Sequence, residues 1–338
     1  MKFLIDIGHP AHVHYFKNFI KIMRNEGHQF LVVARDKDVT FQLLDSLGID
    51  YISRGAGSKG LLRKLIYMIK ADIEIFKIAK IFKPNFFISF SSPYAAQVSS
   101  VLNIPHIAFT DTEHATLGNL AFAPFSKKIL TPNCFKKEFG KKHVRFDSYM
   151  ELCYLHPKYF CPDIGILDIL KVSKNEKYVI IRFVSWEATH DIGHSGITLE
   201  NKIKAVEEFS KYSKVFISSE GKLPDELDRY KINIPVSNMH DALAFASLFY
   251  GESATMASES AVLGTPSIFL DNNGRGYTDE QDMKYGIVFN FSESLADQKA
   301  SIEKGVEILS LCNNRNFKKI GEDIIRDKVD PTKFLVDY

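Results

Sequence analysis

The sequence predicts an α/β fold of two Rossmann-like domains, each built on a doubly wound parallel sheet, which face a central crevice. Its 338 residues exceed what one hydrophobic core usually organises, and an apolar content of 45% is enough for two cores. Along both halves, short apolar runs alternate with helix-length amphipathic segments. This alternation is the order of elements that parallel sheets require.

The first domain is predicted over residues 1–155. Strands are expected at its short apolar runs, which are 3–7, 29–33, 86–90, 104–109 and 128–130. Residues 140–177 interrupt the alternation with two X-Pro pairs, at Pro157 and Pro162, and with mixed polar residues. A domain junction is therefore expected in that segment.

The second domain is predicted over residues 156–312. Its strands are expected at 178–181, 214–218, 234–236, 248–250, 267–270 and 287–289. Residues 313–338 are predicted to form a helical segment that packs back on the first domain. Ligands of parallel sheets collect beyond the carboxyl ends of the strands, so the loops that follow strands are the places to seek a site.

The composition excludes several classes of protein. The chain has 43 Lys and Arg against 41 Asp and Glu, a net charge of +2, which argues against a general nucleic-acid binder. Its four cysteines have neither zinc-type spacing nor the density of a disulfide scaffold, so they are expected to be reduced and structural, as in a cytoplasmic protein. Any site for an anion must be local.

The same sequence predicts a protein that does not cross a membrane. No leader precedes the first apolar strand, and no apolar run approaches the roughly 18 residues that a membrane span needs. A basic segment, 59–83, carries an apolar stripe that is expected mainly to face the core; peripheral attachment to the inner face of a membrane is the alternative. The stripe consists of Leu61, Leu62, Leu65, Ile66, Ile69, Ile73 and Phe76.

The most informative segment, 251–266, lies between two apolar runs. Small residues at Ser253, Ala254 and Thr255 are placed to open a helix, whose unpaired N–H groups and dipole suit a phosphate. Glu259 follows one to two turns later, where a carboxylate can accept hydrogen bonds from ribose hydroxyls. The segment therefore predicts a site for a nucleoside diphosphate.

Four further residues of the second domain are predicted to contact the same ligand. Arg182, His190 and His194 follow or end the strand near 178 and could contact its phosphates or sugar, although a surface loop also explains the histidines. Met239 precedes a predicted helix and could pack on a nucleobase. Gln281 lies in a polar segment, 271–282, that could bind hydroxyls of a sugar, or could simply form a turn.

Histidines fill the loop after the first strand, where a Rossmann enzyme carries its glycine-rich turn. The Gly-x-Gly-x-x-Gly pattern is absent, which argues against a nicotinamide or flavin cofactor. His12 could take a proton from an acceptor hydroxyl; a capping or buried histidine is the alternative. Metal binding by His9, His12 and His14 ranks lower, because no carboxylate or cysteine ligand lies close by in sequence.

A second polar cluster follows the predicted strand 104–109. There Asp111 could orient a histidine and Glu113 could hold a sugar hydroxyl. Asp and Thr at this point are also ordinary helix-start residues. Function and helix capping are compatible with each other.

Together these motifs resemble the GT-B superfamily of nucleotide-sugar enzymes, and the whole chain resembles a family known only as domain of unknown function 354. Residues 252–266 are similar to the Asp-Ser-Gly-Gly-x-x-x-Glu-x-x-x-x-Gly-x-Pro run of non-hydrolysing UDP-N-acetylglucosamine 2-epimerases, and to the donor motif of the transferase that forms lipid II. The resemblance implies that Ser253, Ala254 and Thr255 hold the donor diphosphate and that Glu259 binds the ribose. Ala254 and Thr255 stand where the family pattern has glycines.

The first domain resembles the same transferase more loosely. The pair His12-Val13 is similar to the end of its Gly-Gly-His-Val loop, which puts His12 in the position of a base. Residues 110–119 lie where that transferase has an acceptor-side segment, which implies acceptor roles for Asp111 and Glu113. The histidine and arginine signature of the epimerases is not reproduced at 184–194.

The expected activity is therefore that of an inverting, metal-independent glycosyltransferase. It would use a nucleoside diphosphate sugar, expected to be UDP-linked, as co-substrate, would need no other cofactor, and would transfer to a glycan or lipid-linked acceptor in cell-surface polysaccharide or glycoconjugate synthesis. An epimerase-like isomerase and a non-catalytic nucleotide-sugar-binding protein are the alternatives. Both share the predicted donor site.

Overall fold

The computed structural model describes residues 1–57, 60–184, 196–219, 221–310 and 316–338, and only the backbone at 61, 62, 64 and 65. The chain forms two compact units. The first comprises Met1–Tyr154 together with Val329–Tyr338, and the second comprises Leu155–Lys328. Strands and helices are numbered below in chain order, β1–β12 and α1–α15.

A seven-stranded parallel sheet organises the first unit, with the strand order β3-β2-β1-β4-β5-β6-β7. Its strands are β1 (Lys2–Ile7), β2 (Gln29–Asp36), β3 (Tyr51–Ala56), β4 (Phe86–Phe90), β5 (His106–Phe109), β6 (Lys128–Pro132) and β7 (His143–Phe146). Its helices are α1 (Pro10–Asn25), α2 (Thr40–Ser46), α3 (Leu61–Phe82), α4 (Pro93–Val101), α5 (Thr116–Phe122) and α15 (Pro331–Asp337), and α6 (Leu152–Leu155) lies at the division between the units.

Local sequence explains the start of α1. Pro10 occupies the first turn, where a missing N–H costs nothing, and His9 Nδ1 accepts the Ala11 N–H at 3.2 Å. The buried face of the helix includes Val13, Phe16 and Ile20. In this unit α3 packs on α4 and α4 on α5, while α1 packs on α2 and α15. 

The second unit contains a five-stranded parallel sheet of order β12-β11-β10-β8-β9. Its strands are β8 (Tyr178–Phe183), β9 (Lys214–Ser219), β10 (Leu248–Gly251), β11 (Ser267–Leu270) and β12 (Val288–Phe291). Its helices are α7 (Ile166–Leu170), α8 (Leu199–Ser210), α9 (Asp225–Asp228), α10 (Met239–Phe245), α11 (Ala254–Val262), α12 (Gly276–Glu280), α13 (Leu295–Ser310) and α14 (Phe317–Asp327), and a π-helical turn covers Gln281–Tyr285.

The predicted fold class of two parallel α/β sheets is confirmed. Two edge strands, β3 and β7, were not predicted, because each mixes polar residues with only a few apolar ones. The strand predicted at 234–236 is wrong. Pro235 lacks an N–H for a sheet ladder, and a short 3₁₀ turn begins at Val236.

Among the described residues, no helix has the length and apolar content that crossing a membrane requires.

Candidate functional site

The turn between β10 and α11 is shaped by Gly251. This residue has φ +155°, and a Cβ placed on it would lie 2.2 Å from the Arg182 carbonyl oxygen of the paired strand β8. Only glycine allows the two strands to approach so closely here. The next residues, Glu252 and Ser253, then lead directly into α11 beside the carboxyl end of β8.

Helix α11 opens with small side chains, as predicted. Ser253 caps it: the Met256 N–H donates to Ser253 Oγ at 3.3 Å. The N–H groups of Ala254 and Thr255 belong to the first turn, so they have no acceptor within the helix. Together with the dipole of a nine-residue helix, they form a place where a phosphate can bind without a side chain in the way.

Glu252 fixes the backbone on both sides of residues 185–195. Its buried carboxylate accepts the Val184 N–H at 3.0 Å and the Ile197 N–H at 2.6 Å. Lys202 Nζ lies 3.8 Å from the same carboxylate. The residue that precedes the cap of α11 thus also holds the end of β8 and the approach to α8.

Glu259 lies on α11 but does not face open solvent. Its Oε1 is 3.0 Å from Nε2 of His240 on α10, and the two residues are only 5% and 7% exposed. If Glu259 accepted hydrogen bonds from ribose hydroxyls, it would do so in addition to His240 or in place of it. Met239, which was predicted to pack on a nucleobase, is the first residue of α10 and immediately precedes His240.

Two other predicted donor residues make contacts within the second unit. Arg182 Nη1 donates to Ser218 Oγ at 2.7 Å, and Arg182 is directly paired with Gly251, so its backbone adjoins the turn before α11. Gln281 is fully buried and donates to Ser258 Oγ on α11 at 2.8 Å. Its side chain therefore holds α11 through a buried hydrogen bond. His190 and His194 lie outside the described residues.

In the first unit, His12 lies in the first turn of helix α1, not in the loop after β1 as predicted, and it is hydrogen-bonded to that loop. The Gly8 N–H donates to His12 Nδ1 at 3.3 Å. The centroid of the imidazole ring lies 4.8 Å from the ring centroid of Phe90, at the end of β4. Burial lowers the pKa of His12 well below 6.5, and the nearby charges of His9, Lys37 and Arg54 lower it further. The ring is therefore neutral at pH 7, with Nδ1 as acceptor and its proton on Nε2.

Asp111 and Glu113 follow β5, as predicted. The buried Asp111 accepts the hydroxyl of Thr112 at 2.9 Å, and Glu113 accepts the Lys136 N–H at 3.3 Å. β5 pairs with β4, and β4 pairs with β1, so His12 and these carboxyl groups follow strands that are close together in one sheet. The capping alternative fails for α5, which begins at Thr116 with no side-chain cap.

The structure adds a buried charge cluster that sequence reasoning missed. Arg54 on β3 donates from Nε to Asp6 Oδ1 on β1 at 2.8 Å, and Ser92 donates to the other Asp6 oxygen. Arg54 also lies beside Gly8, since its Nη2 would be 3.5 Å from a Cβ placed there. Burial, together with the Asp6 charge, raises the pKa of Asp72 on α3 to about 7. Asp6 was recognisable as a carboxylate within an apolar strand, which needs a partner.

No metal site accompanies the histidine loop among the described residues, where no group of three or more His, Cys, Asp or Glu side chains is arranged to hold an ion. His9 Nδ1 is instead engaged as the cap of α1.

Residues 1–280 match the family described as protein of unknown function DUF354. The chain belongs to this family. A relative of the DUF354 protein, an uncharacterised protein of Methanocaldococcus jannaschii named MJ0665, is 26% identical over 279 residues, which cover 78% of this chain and 80% of that protein.

Solved structures of nucleotide-sugar enzymes share the fold of this DUF354 chain. A UDP-GlcNAc 2-epimerase from Neisseria meningitidis, solved with UDP-GlcNAc bound, superposes with a TM-score of 0.71 at 12% identity over 100% of both chains. The spinosyn forosaminyltransferase SpnP superposes with a TM-score of 0.66 at 12% identity, also over 100% of both chains. At such identities the likeness establishes the GT-B fold of the DUF354 protein.

Proposed function

We propose that this DUF354 protein is a glycosyltransferase. It moves a sugar from a nucleoside diphosphate, with UDP as the expected nucleotide, onto a hydroxyl of a glycan or lipid-linked acceptor in the cytoplasm. The observation that supports this most is the open amino-terminal turn of α11, with small residues at Ala254 and Thr255 and a buried carboxylate, Glu259, less than two turns further on. Free helix N–H groups can bind a diphosphate, and a carboxylate nearby can accept hydrogen bonds from ribose hydroxyls.

The leaving diphosphate is stabilised by the second unit in this proposal. As the bond between the anomeric carbon and the diphosphate oxygen breaks, negative charge grows on that oxygen. The N–H groups at the start of α11 are fixed before the reaction and can stabilise that charge. Arg182, whose backbone pairs with Gly251 and whose guanidinium donates to Ser218 Oγ, is proposed to supply a further positive charge. A metal ion is then not required for this role.

His12 is the proposed base. The acceptor oxygen attacks the anomeric carbon from the face opposite the diphosphate, so the configuration inverts, and the acceptor proton passes to the imidazole. In the neutral ring the lone pair is on Nδ1, which now accepts the Gly8 N–H at a long 3.3 Å. Proton transfer to Nδ1 would replace that weak hydrogen bond, and Asp111 is proposed to support the acceptor side.

An epimerase-like isomerase is the second candidate, and the fold shared with UDP-GlcNAc 2-epimerases favours it. Such an enzyme would convert one UDP-amino sugar into another, without an acceptor and without releasing UDP as a final product. A protein that binds the nucleotide sugar without turning it over is the third.

A thermal-shift screen with UDP, GDP, CDP, ADP and their sugar conjugates tests the donor site first, because a bound ligand stabilises the fold without any acceptor. Products from the best conjugate are then analysed with and without candidate glycan acceptors. A new glycoside with equimolar free nucleotide supports the transferase. An epimeric nucleotide sugar formed without acceptor overturns it in favour of the isomerase, and the absence of any nucleotide shift overturns all three candidates.

A further inference from the structure

Helix α3 exposes isoleucines on the side away from its own core. Ile66, Ile69 and Ile73 are 59%, 54% and 49% exposed, whereas Ala71, Ile75 and Ala79 are buried. The expectation that Ile66, Ile69 and Ile73 face the core is therefore wrong. Residues three and four positions apart share one face of a helix, so these three side chains form a continuous apolar stripe in solvent.

Cationic side chains flank this isoleucine stripe. Arg63, Lys70, Lys77 and Lys80 are all exposed on the same helix. Lys70 reaches Glu74 at 3.9 Å, a long contact at an exposed pair, which leaves most of its charge effective toward a partner. Long lysine stems can lie along an apolar surface while their ammonium groups extend beyond it.

The same pattern continues along the helical layer. α3 packs on α4, and α4 packs on α5, where Leu117 and Leu120 are also exposed. From 61 to 142 the sequence has twelve Lys and Arg against five Asp and Glu, a net charge of +7, although the whole chain carries only +2. Positive charge is thus concentrated in a part of the chain that includes the isoleucine stripe.

We propose that the isoleucine stripe of α3, with its flanking cations, docks on an anionic lipid surface. Isoleucine side chains that enter the boundary between headgroups and acyl chains leave water, while the lysines and Arg63 meet lipid phosphates. A twofold dimer through the same face would place cations of one copy against those of the other. Nucleic acid would offer the three isoleucines no apolar contact, so a lipid surface is the occupant that matches both features.

Flotation with vesicles tests this docking surface. The full-length protein is mixed with vesicles of phosphatidylcholine alone, or with about 30% phosphatidylglycerol, at low and high salt. We expect binding only to the anionic vesicles, weakened by salt. The double variant I69S/I73S and the charge variant K70Q/K77Q should each weaken it by about tenfold or more.

Matched controls lie in the second unit. L199S/L295S removes two exposed leucines there, and K204Q/K299Q removes two exposed lysines; both should bind vesicles like the native protein. No binding to anionic vesicles, or equal loss in test and control variants, would overturn the proposal. Self-association that only I69S/I73S abolishes, without vesicle binding, would assign the stripe to a second copy. Nucleotide thermal shifts on the same variants should be unchanged, so this proposal and the proposed function can fail separately.

Discussion

His240 Nε2 lies 3.0 Å from Glu259 Oε1, and this contact joins the first turn of α10 to the second turn of α11 in the second unit. Both side chains are buried. Hydrogen bonds to a charged group are stronger than those between neutral groups, and a buried charge without a partner is costly. Glu259 therefore has a structural role whatever it binds, so changes at this position must be interpreted with stability measured alongside ligand binding.

Replacing Glu259 separates those two roles. E259A leaves His240 without this acceptor and should lower the free energy of unfolding by about 2 kcal/mol. E259Q keeps an oxygen that can accept from His240 Nε2 and should cost less than about 1 kcal/mol. If the carboxylate binds ribose, both variants should lose nucleotide affinity. Urea unfolding and nucleotide titration check this. If E259Q binds nucleotide with native affinity, the charged carboxylate is not needed to bind ribose.

Thr255 provides a test of the phosphate site by charge alone. T255E and T255Q introduce side chains of nearly equal size in the first turn of α11, but only glutamate repels a phosphate. An acid in this turn is favourable for the helix itself, so T255E should be at least as stable as T255Q without ligand. We expect T255E to weaken nucleotide diphosphate binding by about tenfold or more relative to T255Q, measured by calorimetry. Equal affinities would place the diphosphate elsewhere.

A buried histidine predicts how stability depends on pH. His106 lies between the hydroxyls of Ser89 and Ser126, each at 2.9 Å, and burial lowers its pKa from 6.5 to about 3. The unfolded chain thus binds a proton below pH 6.5 that the folded chain does not. Stability should fall as pH drops from 6.5 toward 3, by about 2 kcal/mol from this residue at pH 5.

The variant H106Q checks the origin of that slope. Glutamine does not titrate, so H106Q should be less stable than the native protein at pH 7 but should lose less stability between pH 7 and pH 5. Urea unfolding at both pH values measures this difference. Parallel pH profiles for the two proteins would show that His106 does not produce the slope.

The sequence predicted those strands whose burial requires a run of apolar residues. The strands β1, β8 and β10 consist mostly of apolar residues in short runs, whereas the edge strand β3 contains Ser53, Arg54 and Gly55 and has no such run. The start of α11 was predictable because Ser253 is a residue type that caps helices and it follows an apolar run.

Contacts between distant residues were not predictable in that way. His240 and Glu259 are 19 residues apart on different helices, and Asp6 pairs with Arg54 on a strand that is not its neighbour in the sheet. Each depends on where the helices and strands pack, which local pattern does not specify. The exposure of the isoleucine stripe of α3 could not be predicted for the same reason. The periodicity of the helix does not say which of two apolar faces meets the core.

Gly251 gives the sharpest test of the turn that positions α11. A methyl group at this residue would collide with the Arg182 backbone, which cannot yield without breaking the pairing of β10 and β8, and φ +155° is strained for any side chain. G251A should therefore cost about 3 kcal/mol or more. Gly118 on α5 is the matched control, since its added methyl would meet only the Ala115 side chain at 3.7 Å and alanine favours helix, so G118A should be neutral or stabilising by up to about 1 kcal/mol. Thermal and urea unfolding compare the two, and a G251A protein as stable as G118A would mean that the turn before α11 is not built as described.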